Sequence, residues 1–398
     1  MKTFFTRAIS FLQQHGLRQS WQKAMGLYLL LQCLMPAAQA QKIQWDKTLG
    51  GKAEETLRSV QQTRDGGYIV GGYSESGKGG DKSEKNRGNH FAPQDYWVVK
   101  LKVDGTKAWD KTFGGKDSDR LTAIQQTSDN GYILGGYSDS GKNNDKSEDR
   151  IGVNDYWLVK LDAAGNKEWD KTLGGDQADY LTAIVQTPDG GYVAGGYSDS
   201  GKSADKSQSS KGSTDYWLIK INAQGQKVWD VTVGGNGQDN LISLQLTQDG
   251  GFILGGSSQS GISGDKTETN KGGEDYWVVK LNATGQKEWD KTLGGARNDY
   301  FAVVQPTPDQ GYMVGGSSES DSSSDKSENN RGVMDEDGYI SADYWVVKLN
   351  AAGAKVWDKT IGGNSDDALS AIQQVSDGSY VLGGSSFSGV RGINQKKI

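Results

Sequence analysis

A Trp-Asp dipeptide recurs through the chain at nearly constant spacing, and an internal period constrains the fold more strongly than any single motif. A second series, Asp-Tyr-Trp, lies twelve residues ahead of each later Trp-Asp copy. Most of the chain is therefore one unit of 60 residues or slightly more written five times, with pieces of a sixth at both ends. The Trp-Asp copies begin at Trp45, Trp109, Trp169, Trp229, Trp289 and Trp357, and the second series has its tryptophan at Trp97, Trp157, Trp217, Trp277 and Trp345.

Each unit reads as four short strands separated by turns. In the unit 116–175 the turn signals are Asp129-Asn130-Gly131 and Asp162-Ala-Ala-Gly165, with a longer polar loop between the second and third runs. No stretch after the first forty residues has helical periodicity long enough for a crossover, so the strands are expected to pair as antiparallel hairpins. The four runs are Leu121–Thr127, Tyr132–Tyr137, Tyr156–Leu161 and Lys167–Leu173.

Four-stranded antiparallel units in tandem are typical of β-propeller blades. We therefore predict an all-β propeller of about six blades. Gln44–Leu49 reads as an isolated fourth strand, and Leu369–Ser385 supplies only a first and a second strand. The two segments are expected to share one composite closing blade that lacks its third strand. The chain stops where another Asp-Tyr-Trp would follow, so we expect the repeat domain, residues 41–398, to be truncated at its C-terminus.

Residues 1–40 differ in composition from the repeats. They hold Lys2, Arg7, Arg18 and Lys23 and no acidic residue, followed by the apolar run 26–35 and Ala38-Gln39-Ala40. This pattern predicts a secretory signal peptide cleaved after Ala40, and hence a secreted or cell-surface protein, with the periplasm as an alternative. The apolar run is too short to span a bilayer, so no membrane insertion is expected.

The remaining chain carries 40 basic and 50 acidic residues and no cysteine, because Cys33 lies in the predicted signal. An acidic surface argues against nucleic acid as a partner. Disulfide and thiol chemistry are excluded.

Several repeated residues have a predicted structural role. The Gly-Gly pair in each second run is expected to make room for a close neighbour. If the Asp162–Gly165 turn is a three-residue loop, Val159 lies opposite Trp169. Lys160 is then predicted to form an ion pair with Asp170, a pair of residue types that recurs in every complete unit.

The first strands are predicted to lie at an inner edge and to line a polar channel. The residues that indicate this are Pro306 and the glutamines Gln62, Gln126, Gln186 and Gln374.

The long second-to-third loops share one face of a meander propeller, where functional sites are most often found. Their repeated Asp-Lys-Ser/Thr motif, which has a lysine three residues before the aspartate in the first three loops, supplies our candidate binding residues: Asp81, Asp145, Asp205, Asp265 and Asp325. Calcium is one interpretation of these oxygen-rich loops, although the spacing matches no EF-hand. Asx-turns and surface ion pairs are the favoured interpretation, and we assign no metal or cofactor.

Catalytic chemistry has few candidate residues. His90 is the only histidine after the predicted signal, so a nucleophilic triad or a histidine metal site would depend on that one loop residue. Asp335, Glu336 and Asp337 form a distinctive acidic cluster, in the one loop that is eight residues longer than its counterparts. They complete the candidate binding set, and carboxylate hydrolysis or elimination on this face is the enzymatic alternative.

Two family resemblances follow from these motifs. Leu161–Trp169 resembles the Asp-Xaa-Xaa-Gly-Xaa-Xaa-Xaa-Trp docking motif of quinoprotein-like propellers, which implies that Trp109, Trp169, Trp229 and Trp289 lock adjacent blades and implies no cofactor. Trp169–Gly175, Gln186–Tyr192 and Asp215–Lys220 resemble the tandem repeats of secreted Bacteroidetes proteins that carry a type IX secretion sorting domain. This likeness covers nearly all of residues 42–388 and implies export. A period of 60 without a Gly-His before Trp-Asp differs from a WD40 repeat.

These observations together predict a non-catalytic exported propeller that binds a protein or a glycan at or outside the cell surface. A structural spacer without a ligand is a further alternative. Few aromatic side chains lie in the loops, chiefly Phe91 and Tyr339, which weakens the glycan version because sugar sites usually contain stacking rings.

Overall fold

The computed structural model describes residues 44–88, 94–333, 340–375 and 377–389. The chain divides into two compact units, Met1–Lys47 and Thr48–Ile398, and every strand belongs to the second. Within these described residues the secondary structure is all-β, and none of it is a helix that could cross a membrane. The predicted signal peptide, His90, Phe91, Tyr339 and the acidic cluster Asp335, Glu336 and Asp337 lie outside the described residues.

The strands form five four-stranded antiparallel sheets and one two-stranded sheet, each ordered as in the sequence. Sheet 1 contains β1 (Glu55–Gln62), β2 (Tyr68–Ser74), β3 (Asp95–Leu101) and β4 (Lys107–Phe113). Sheet 2 contains β5 (Asp119–Gln126), β6 (Tyr132–Ser138), β7 (Asp155–Leu161) and β8 (Lys167–Leu173). Sheet 3 contains β9 (Asp179–Gln186), β10 (Tyr192–Ser198), β11 (Asp215–Ile221) and β12 (Lys227–Val233). Sheet 4 contains β13 (Asp239–Leu246), β14 (Phe252–Ser258), β15 (Asp275–Leu281) and β16 (Lys287–Leu293). Sheet 5 contains β17 (Asp299–Pro306), β18 (Tyr312–Ser318), β19 (Asp343–Leu349) and β20 (Lys355–Ile361), and sheet 6 contains β21 (Asp367–Gln374) and β22 (Tyr380–Ser386). The predicted four-strand unit is confirmed.

The pairing register of the third and fourth strands differs from our prediction by one residue. In sheet 2, Val159 pairs with Asp170 and Lys160 pairs with Trp169, and the register then shifts between Lys160 and Leu161. The shift is a bulge, which adds one unpaired residue to a strand and reverses the side-chain alternation beyond it. A simple three-residue turn contains no such extra residue, and this is why the predicted register is wrong.

Successive sheets pack face to face through their first and second strands. The first strand of each sheet lies beside the first strand of the next, whereas the fourth strands make no extensive contact with one another. This is the radial arrangement of propeller blades, with the first strand innermost. Pro306 ends β17, an edge strand, as predicted.

In sheets 1 to 5, the first glycine of the pair in the second strand accepts an apolar side chain from the next sheet. A methyl group added at Gly71 would lie 2.5 Å from Leu121 Cδ2, and one at Gly255 would lie 2.1 Å from Phe301 Cζ. Gly135, Gly195 and Gly315 have the equivalent contacts. The second-strand glycine is therefore required at each internal junction because a larger residue would occupy the space that the neighbouring side chain fills.

Tyrosine and tryptophan of the Asp-Tyr-Trp motif join adjacent third strands. The Tyr96 hydroxyl donates a hydrogen bond to the carbonyl oxygen of Trp157 at 3.0 Å, and the two ring centroids are 4.7 Å apart. The same contact repeats at three further junctions: Tyr156 with Trp217, Tyr216 with Trp277 and Tyr276 with Trp345. Both rings are almost completely buried, so each junction has an aromatic core.

The tryptophan of Trp-Asp extends from a fourth strand to the next sheet. A methyl group at Gly165 would lie 3.0 Å from the Trp109 ring, which also meets Tyr132 edge to face. Gly225, Gly285 and Gly353 contact Trp169, Trp229 and Trp289 in the same way. Each of these tryptophans therefore contacts the next sheet, and the locking of adjacent blades stays a prediction.

The predicted composite blade does not form. Gln44–Leu49 contains no strand, and sheet 6 keeps only β21 and β22. Among the described strands, sheet 6 makes no hydrogen-bonded pairing with sheet 1. Leu57 and Val60 on sheet 1 are each 62% exposed, although their counterparts in the other sheets are buried. The blade geometry was predicted correctly, but closure by the two ends was wrong.

The inner-edge glutamines connect neighbouring sheets. Gln126 Oε1 accepts the Arg64 backbone N–H at 2.9 Å, and Gln186 Oε1 accepts that of Ser128 at 2.7 Å. The polar channel that we predict from these residues requires a closed ring, which the described strands do not form.

We expect Gly255→Ala to destabilise the fold by about 1–3 kcal/mol, because the added methyl overpacks the buried Phe301 ring. Chemical denaturation monitored by circular dichroism measures this change. The matched control is Gly383→Ala in sheet 6, where an added methyl meets no atom within 4 Å. Equal loss of stability in both variants would show that the junction contact is not responsible.

Candidate functional site

The candidate aspartates of the long loops fasten each loop to the preceding sheet. Asp145 N–H donates to the Gly114 carbonyl at 3.1 Å, and Asp145 Oδ2 accepts the Gly114 N–H at 3.3 Å. Asp81, Asp205, Asp265 and Asp325 form the same two bonds with Gly50, Gly174, Gly234 and Gly294. The repeated loop motif thus has a structural explanation.

Three of these aspartates also pair with a basic residue from the loop of the preceding sheet. Arg87 Nε lies 2.8 Å from Asp145 Oδ2, and Lys211 and Lys271 pair with Asp265 and Asp325. The basic residue is held in place because its own backbone N–H donates to the aspartate that begins the third strand. The long loops of sheets 1 and 2, of sheets 3 and 4, and of sheets 4 and 5 are therefore linked by ion pairs.

Asp81, in sheet 1, has no described sheet before its own, so among the four later loops Asp205 is the exception. The position that Arg87, Lys211 and Lys271 occupy is taken by Ile151, whose N–H donates to Asp155 at 2.6 Å. Among the residues that the structure describes, no basic side chain pairs with Asp205. Burial raises the pKa of Asp205.

This geometry favours the structural interpretation of the loop aspartates over calcium binding. Their oxygens accept backbone N–H groups and cationic side chains, which a calcium ion would have to displace. The described ranges contain no group of three or more His, Cys, Asp or Glu side chains arranged to hold a metal. Calcium stays a hypothesis without a coordinating group in these loops.

The aspartate of Trp-Asp connects three elements of its sheet. Asp170 Oδ2 accepts the Trp157 indole N–H at 3.1 Å and the loop Ser147 N–H at 2.8 Å. Asp170 Oδ1 accepts Lys167 Nζ at 2.7 Å. Every complete sheet repeats the indole and lysine bonds, through Asp110, Asp230, Asp290 and Asp358. The repeated aspartate therefore holds the outer strand, the buried tryptophan and the long loop together.

The predicted ion pair between Lys160 and Asp170 is wrong. Lys160 Nζ lies 2.8 Å from Asp129 and 2.9 Å from Glu168, while Asp170 pairs with Lys167. The one-residue difference in register moves Asp170 away from Lys160. In the other units the corresponding pairs are Lys100 with Asp65, Lys220 with Asp189, Lys280 with Asp249 and Glu288, and Lys348 with Asp309.

A second set of carboxylates lies buried between adjacent sheets, and our sequence analysis did not single it out. Asp119 starts β5 and accepts the Gly115 N–H at 2.6 Å and the Ser140 hydroxyl at 3.0 Å. Asp95, from the start of β3, lies against the same glycine segment: a methyl at Gly114 would be 2.0 Å from Asp95 Oδ1 and 3.1 Å from Asp119 Oδ2. The two acids are thus close neighbours across a junction. The corresponding pairs are Asp155 with Asp179, Asp215 with Asp239, Asp275 with Asp299 and Asp343 with Asp367.

Burial raises the pKa of these acids. The pKa values of Asp95, Asp119 and Asp299 rise to about 7, and those of Asp179, Asp215, Asp275 and Asp343 rise to about 6. The Oδ1 atoms of Asp95 and Asp119 accept no hydrogen bond from the described residues. Buried lysines lie near both partners, and burial lowers the pKa of Lys82 to about 8. A pattern of Asp at the start of the first and third strands was visible in the sequence, but only the fold brings the two series together.

The opposite face, formed by the tight turns, carries clefts at the sheet junctions. One cleft of about 340 Å³ lies between sheets 4 and 5 and includes Lys280, Trp289, Gln310, Tyr312 and Ala351 in its lining. A second, of about 280 Å³, lies between sheets 1 and 2 and is lined by the equivalent Lys100, Trp109, Asn130, Tyr132 and Ala163. The clefts therefore arise from the repeat itself.

Polar groups of both signs surround each cleft. Hydrogen bonds from Thr63 and Lys100 lower the pKa of Asp65 to about 2, so this carboxylate is ionised at neutral pH. Lys280 is held between Asp249 and Glu288. The tryptophan that lines each cleft has the turn of the next sheet packed on its ring, as described for Trp109 and Gly165. These clefts present fixed charges and aromatic edges, and they were missed by our emphasis on the long loops.

No protein-family profile matches the chain. One curated relative, the regulatory protein FlaEY of Caulobacter vibrioides, is 26% identical over 211 residues, which cover 50% of this chain and 22% of that protein. The chain thus spans less than a quarter of the relative's length.

Solved structures with a similar strand arrangement include the Pan2 WD40 domain of Neurospora crassa, with a TM-score of 0.42, 10% identity and coverage of 76% of this chain and 65% of that chain. A Dyadobacter fermentans protein of unknown function has a TM-score of 0.42, 12% identity and coverage of 81% and 87%. An apocarotenoid oxygenase variant of Synechocystis has a TM-score of 0.38, 12% identity and coverage of 85% and 83%. Scores of this size carry no functional argument, and the fold assignment rests on the strand topology above.

We expect acidification from pH 8 to pH 5 to raise the melting temperature. An acid whose folded-state pKa is about 7, against an ordinary value of 3.8, binds its proton more tightly when folded. Its stabilising contribution is complete below pH 3.8 and is lost as the pH rises through 7. Scanning calorimetry across this range measures the effect.

The variant Asp119→Asn is the control for this pH dependence, because its side chain stays neutral throughout. We expect its melting temperature to change less between pH 5 and pH 8 than that of the parent. At pH 8 its free energy of unfolding should exceed that of the parent by at least about 1 kcal/mol. A parent chain that becomes more stable as the pH rises from 5 to 8 would contradict the assignment.

We expect Ile151→Lys to stabilise the fold by about 0.2–1 kcal/mol, the usual contribution of a partly exposed ion pair. The new ammonium group would reach Asp205 as Lys211 reaches Asp265. Denaturation at low and high salt measures the gain, which should shrink at high salt. The control is Ile151→Gln, which has similar length and no charge, and an equal gain in both variants would rule out the ion pair.

Proposed function

We propose that this chain is an exported, non-catalytic binding scaffold that holds a protein partner through the clefts of its tight-turn face. The observation that carries this proposal is the recurrence of one cleft, with the same lining, at separate sheet junctions. A repeated arrangement of equivalent clefts suits an extended polypeptide that contacts several junctions at once, because linked weak contacts add to give useful affinity.

The chemistry of the clefts favours protein over glycan. Their charges are of both signs, with Lys280 beside Asp249 and Glu288. Sugar sites usually need an open aromatic face, whereas the ring of Trp109 is packed against Gly165 and Tyr132. The long-loop face is less suited to binding than we expected, since its candidate aspartates are already engaged within the fold.

The carboxylate-enzyme alternative has less support. A general acid needs a raised pKa together with access to the substrate. The described acids whose pKa is raised to about 6 or 7, such as Asp95 and Asp119, are fully buried. Asp65, which is exposed, has its pKa lowered to about 2. The cluster Asp335, Glu336 and Asp337 remains the position where a hydrolase or lyase would have to be sought.

Export belongs to this proposal. Its support is the composition of residues 1–40, which combines four basic residues, an apolar run and Ala38-Gln39-Ala40. The likeness of the repeats to those of secreted type IX cargo proteins points in the same direction. Mass spectrometry of the extracellular protein should find Gln41 at its N-terminus, and recovery of the intact precursor in the cytoplasm would contradict export.

The binding proposal predicts that filling the clefts reduces peptide affinity. Peptides selected from a random displayed library on the purified chain should bind Ala163→Trp/Ala351→Trp at least about tenfold more weakly by calorimetry, because each indole occupies a cleft. The matched control is Ala164→Trp/Ala352→Trp, which adds the same side chains one position along the same exposed turns, beyond the residues that line either cleft.

Equal affinity for both double variants would place the binding elsewhere. A glycan array and a polysaccharide degradation panel form the parallel arms of the experiment. Glycan binding without peptide binding, or turnover that is lost when Asp335, Glu336 and Asp337 become Asn or Gln, would overturn the proposal in favour of the corresponding alternative.

A further inference from the structure

The lysine of the repeated Asp-Lys-Ser/Thr motif is buried, and in two sheets its amine lies against an asparagine amide. Lys82 and Lys266 are each 2% exposed. Lys82 Nζ contacts Asn86 Oδ1, and Lys266 Nζ lies 2.5 Å from Asn270 Oδ1. Sheets 1 and 4 thus bring a buried amine and a carboxamide together at the same place in their long loops.

Each amide is held in this orientation from its other side. Asn86 Nδ2 donates to the Ser74 carbonyl oxygen at 2.8 Å, and Asn270 Nδ2 donates to the Ser258 carbonyl oxygen at 2.8 Å. Because these bonds fix the amide, its carbon Cγ, one bond beyond Oδ1, stays beside the lysine amine. A fixed contact between two reactive groups is what raises the rate of an intramolecular reaction.

Burial also makes these lysines better nucleophiles. It lowers the pKa of Lys82 and that of Lys266 to about 8, so an appreciable fraction of each is the neutral amine at pH 8. The lone pair of a neutral amine can attack a carbonyl carbon, whereas an ammonium group has no lone pair to use. The ring centroid of Trp277 lies 5.7 Å from Lys266 Nζ, so an aromatic side chain borders this amine.

An acid that can hold a proton near neutral pH lies next to each lysine and asparagine. Asp95 Oδ2 accepts the N–H of Arg87, the residue after Asn86, and Asp275 Oδ2 accepts the N–H of Lys271 at 2.5 Å. Burial raises the pKa of Asp95 to about 7 and that of Asp275 to about 6. The Oδ1 atoms of both acids accept no hydrogen bond from the described residues, so each acid has an oxygen that can carry a proton.

We propose that Lys82 forms an isopeptide bond with Asn86, and that Lys266 forms one with Asn270. The lone pair of Nζ attacks Cγ of the asparagine, the Nζ–Cγ bond forms and the Cγ–Nδ2 bond breaks. One proton leaves Nζ, passes through the neighbouring acid and joins Nδ2, which departs as ammonia. The acid is regenerated, so the reaction consumes no oxidant or cofactor. The two cross-links close two long loops on themselves and are independent of the proposed cleft function.

The remaining sheets provide internal controls. The position of Asn86 is taken by Arg150 in sheet 2 and by Ser210 in sheet 3. In sheet 5, Lys326 Nζ donates to a threonine hydroxyl at 2.6 Å, and Asn330 Oδ1 accepts a backbone N–H at 3.2 Å. We therefore expect two bonds in the chain, one in sheet 1 and one in sheet 4.

Intact-mass spectrometry of the purified chain tests the proposal. We expect a mass that is lower than the value calculated from its sequence by two ammonia molecules. Trypsin should fail to cut after Lys82 and Lys266, because an acylated lysine carries no charge for the protease to recognise. A succinimide at either asparagine would release the same ammonia and leave the lysine open to trypsin.

Three variants test the parts of each site. Asn270→Ser introduces the residue that sheet 3 has at this position, so it should release only one ammonia and be cut after Lys266. Asp275→Asn should behave in the same way because the acid is lost, and the surviving bond in sheet 1 shows that the chain has folded. Ser210→Asn places an amide beside Lys206, whose Nζ lies 3.3 Å from Ser210 Oγ, and should release a third ammonia.

A parent chain with the full calculated mass overturns the proposal, as does loss of ammonia that leaves both lysines open to trypsin. Protection of Lys266 that persists in Asn270→Ser also overturns it, because the bond would then involve another residue. Protection that persists in Asp275→Asn would contradict the part assigned to the acid. A Ser210→Asn chain that releases no third ammonia would contradict the argument from geometry.

Discussion

The contact between a second-strand glycine and the apolar side chains of the next sheet is the interaction on which the rest of this structure depends. A single four-stranded sheet cannot bury both of its faces, so each sheet is stable only between neighbours. Glycine has no side chain, so the next sheet can approach the backbone closely at these positions. Leu121 contacts Gly71 and Leu181 contacts Gly135 in this way, and the other internal junctions repeat the contact. Because that close approach brings the third strands together too, the Tyr96 and Trp157 contact follows from it.

Close packing also places polar groups in water-free positions, and the repeat satisfies most of them locally. Asp170 binds an indole, a loop N–H and a lysine, and Lys160 is neutralised by Asp129 and Glu168. The paired acids Asp95 and Asp119 are instead accommodated by protonation, since burial raises their pKa values to about 7. The free energy of unfolding is therefore coupled to pH at the junctions. The long loops are held separately, by the hydrogen bonds of Asp145 and its equivalents.

The sequence predicted the parts of the fold that depend on local pattern. Alternation in Leu121–Thr127 and Tyr156–Leu161 identified strands, and the 60-residue period identified the unit. The partner of Lys160 was not predictable in the same way, because a bulge at Glu168 shifted the pairing and Asp129 comes from another hairpin. The buried pair Asp95 and Asp119 depends on two different sheets, so no local pattern reveals it. The prediction of ring closure was wrong for a related reason. The repeat period specifies the contact at one junction, whereas closure depends on the sum of the angles between all successive sheets.

Repetition also limits where specificity can arise in a chain of this kind. Substituting one internal residue, such as Leu181, would disturb folding and recognition together, because equivalent residues do the same work at each junction. Only positions that depart from the repeat can change one property without the others, and Ile151 beside Asp205 is one such position within sheet 2.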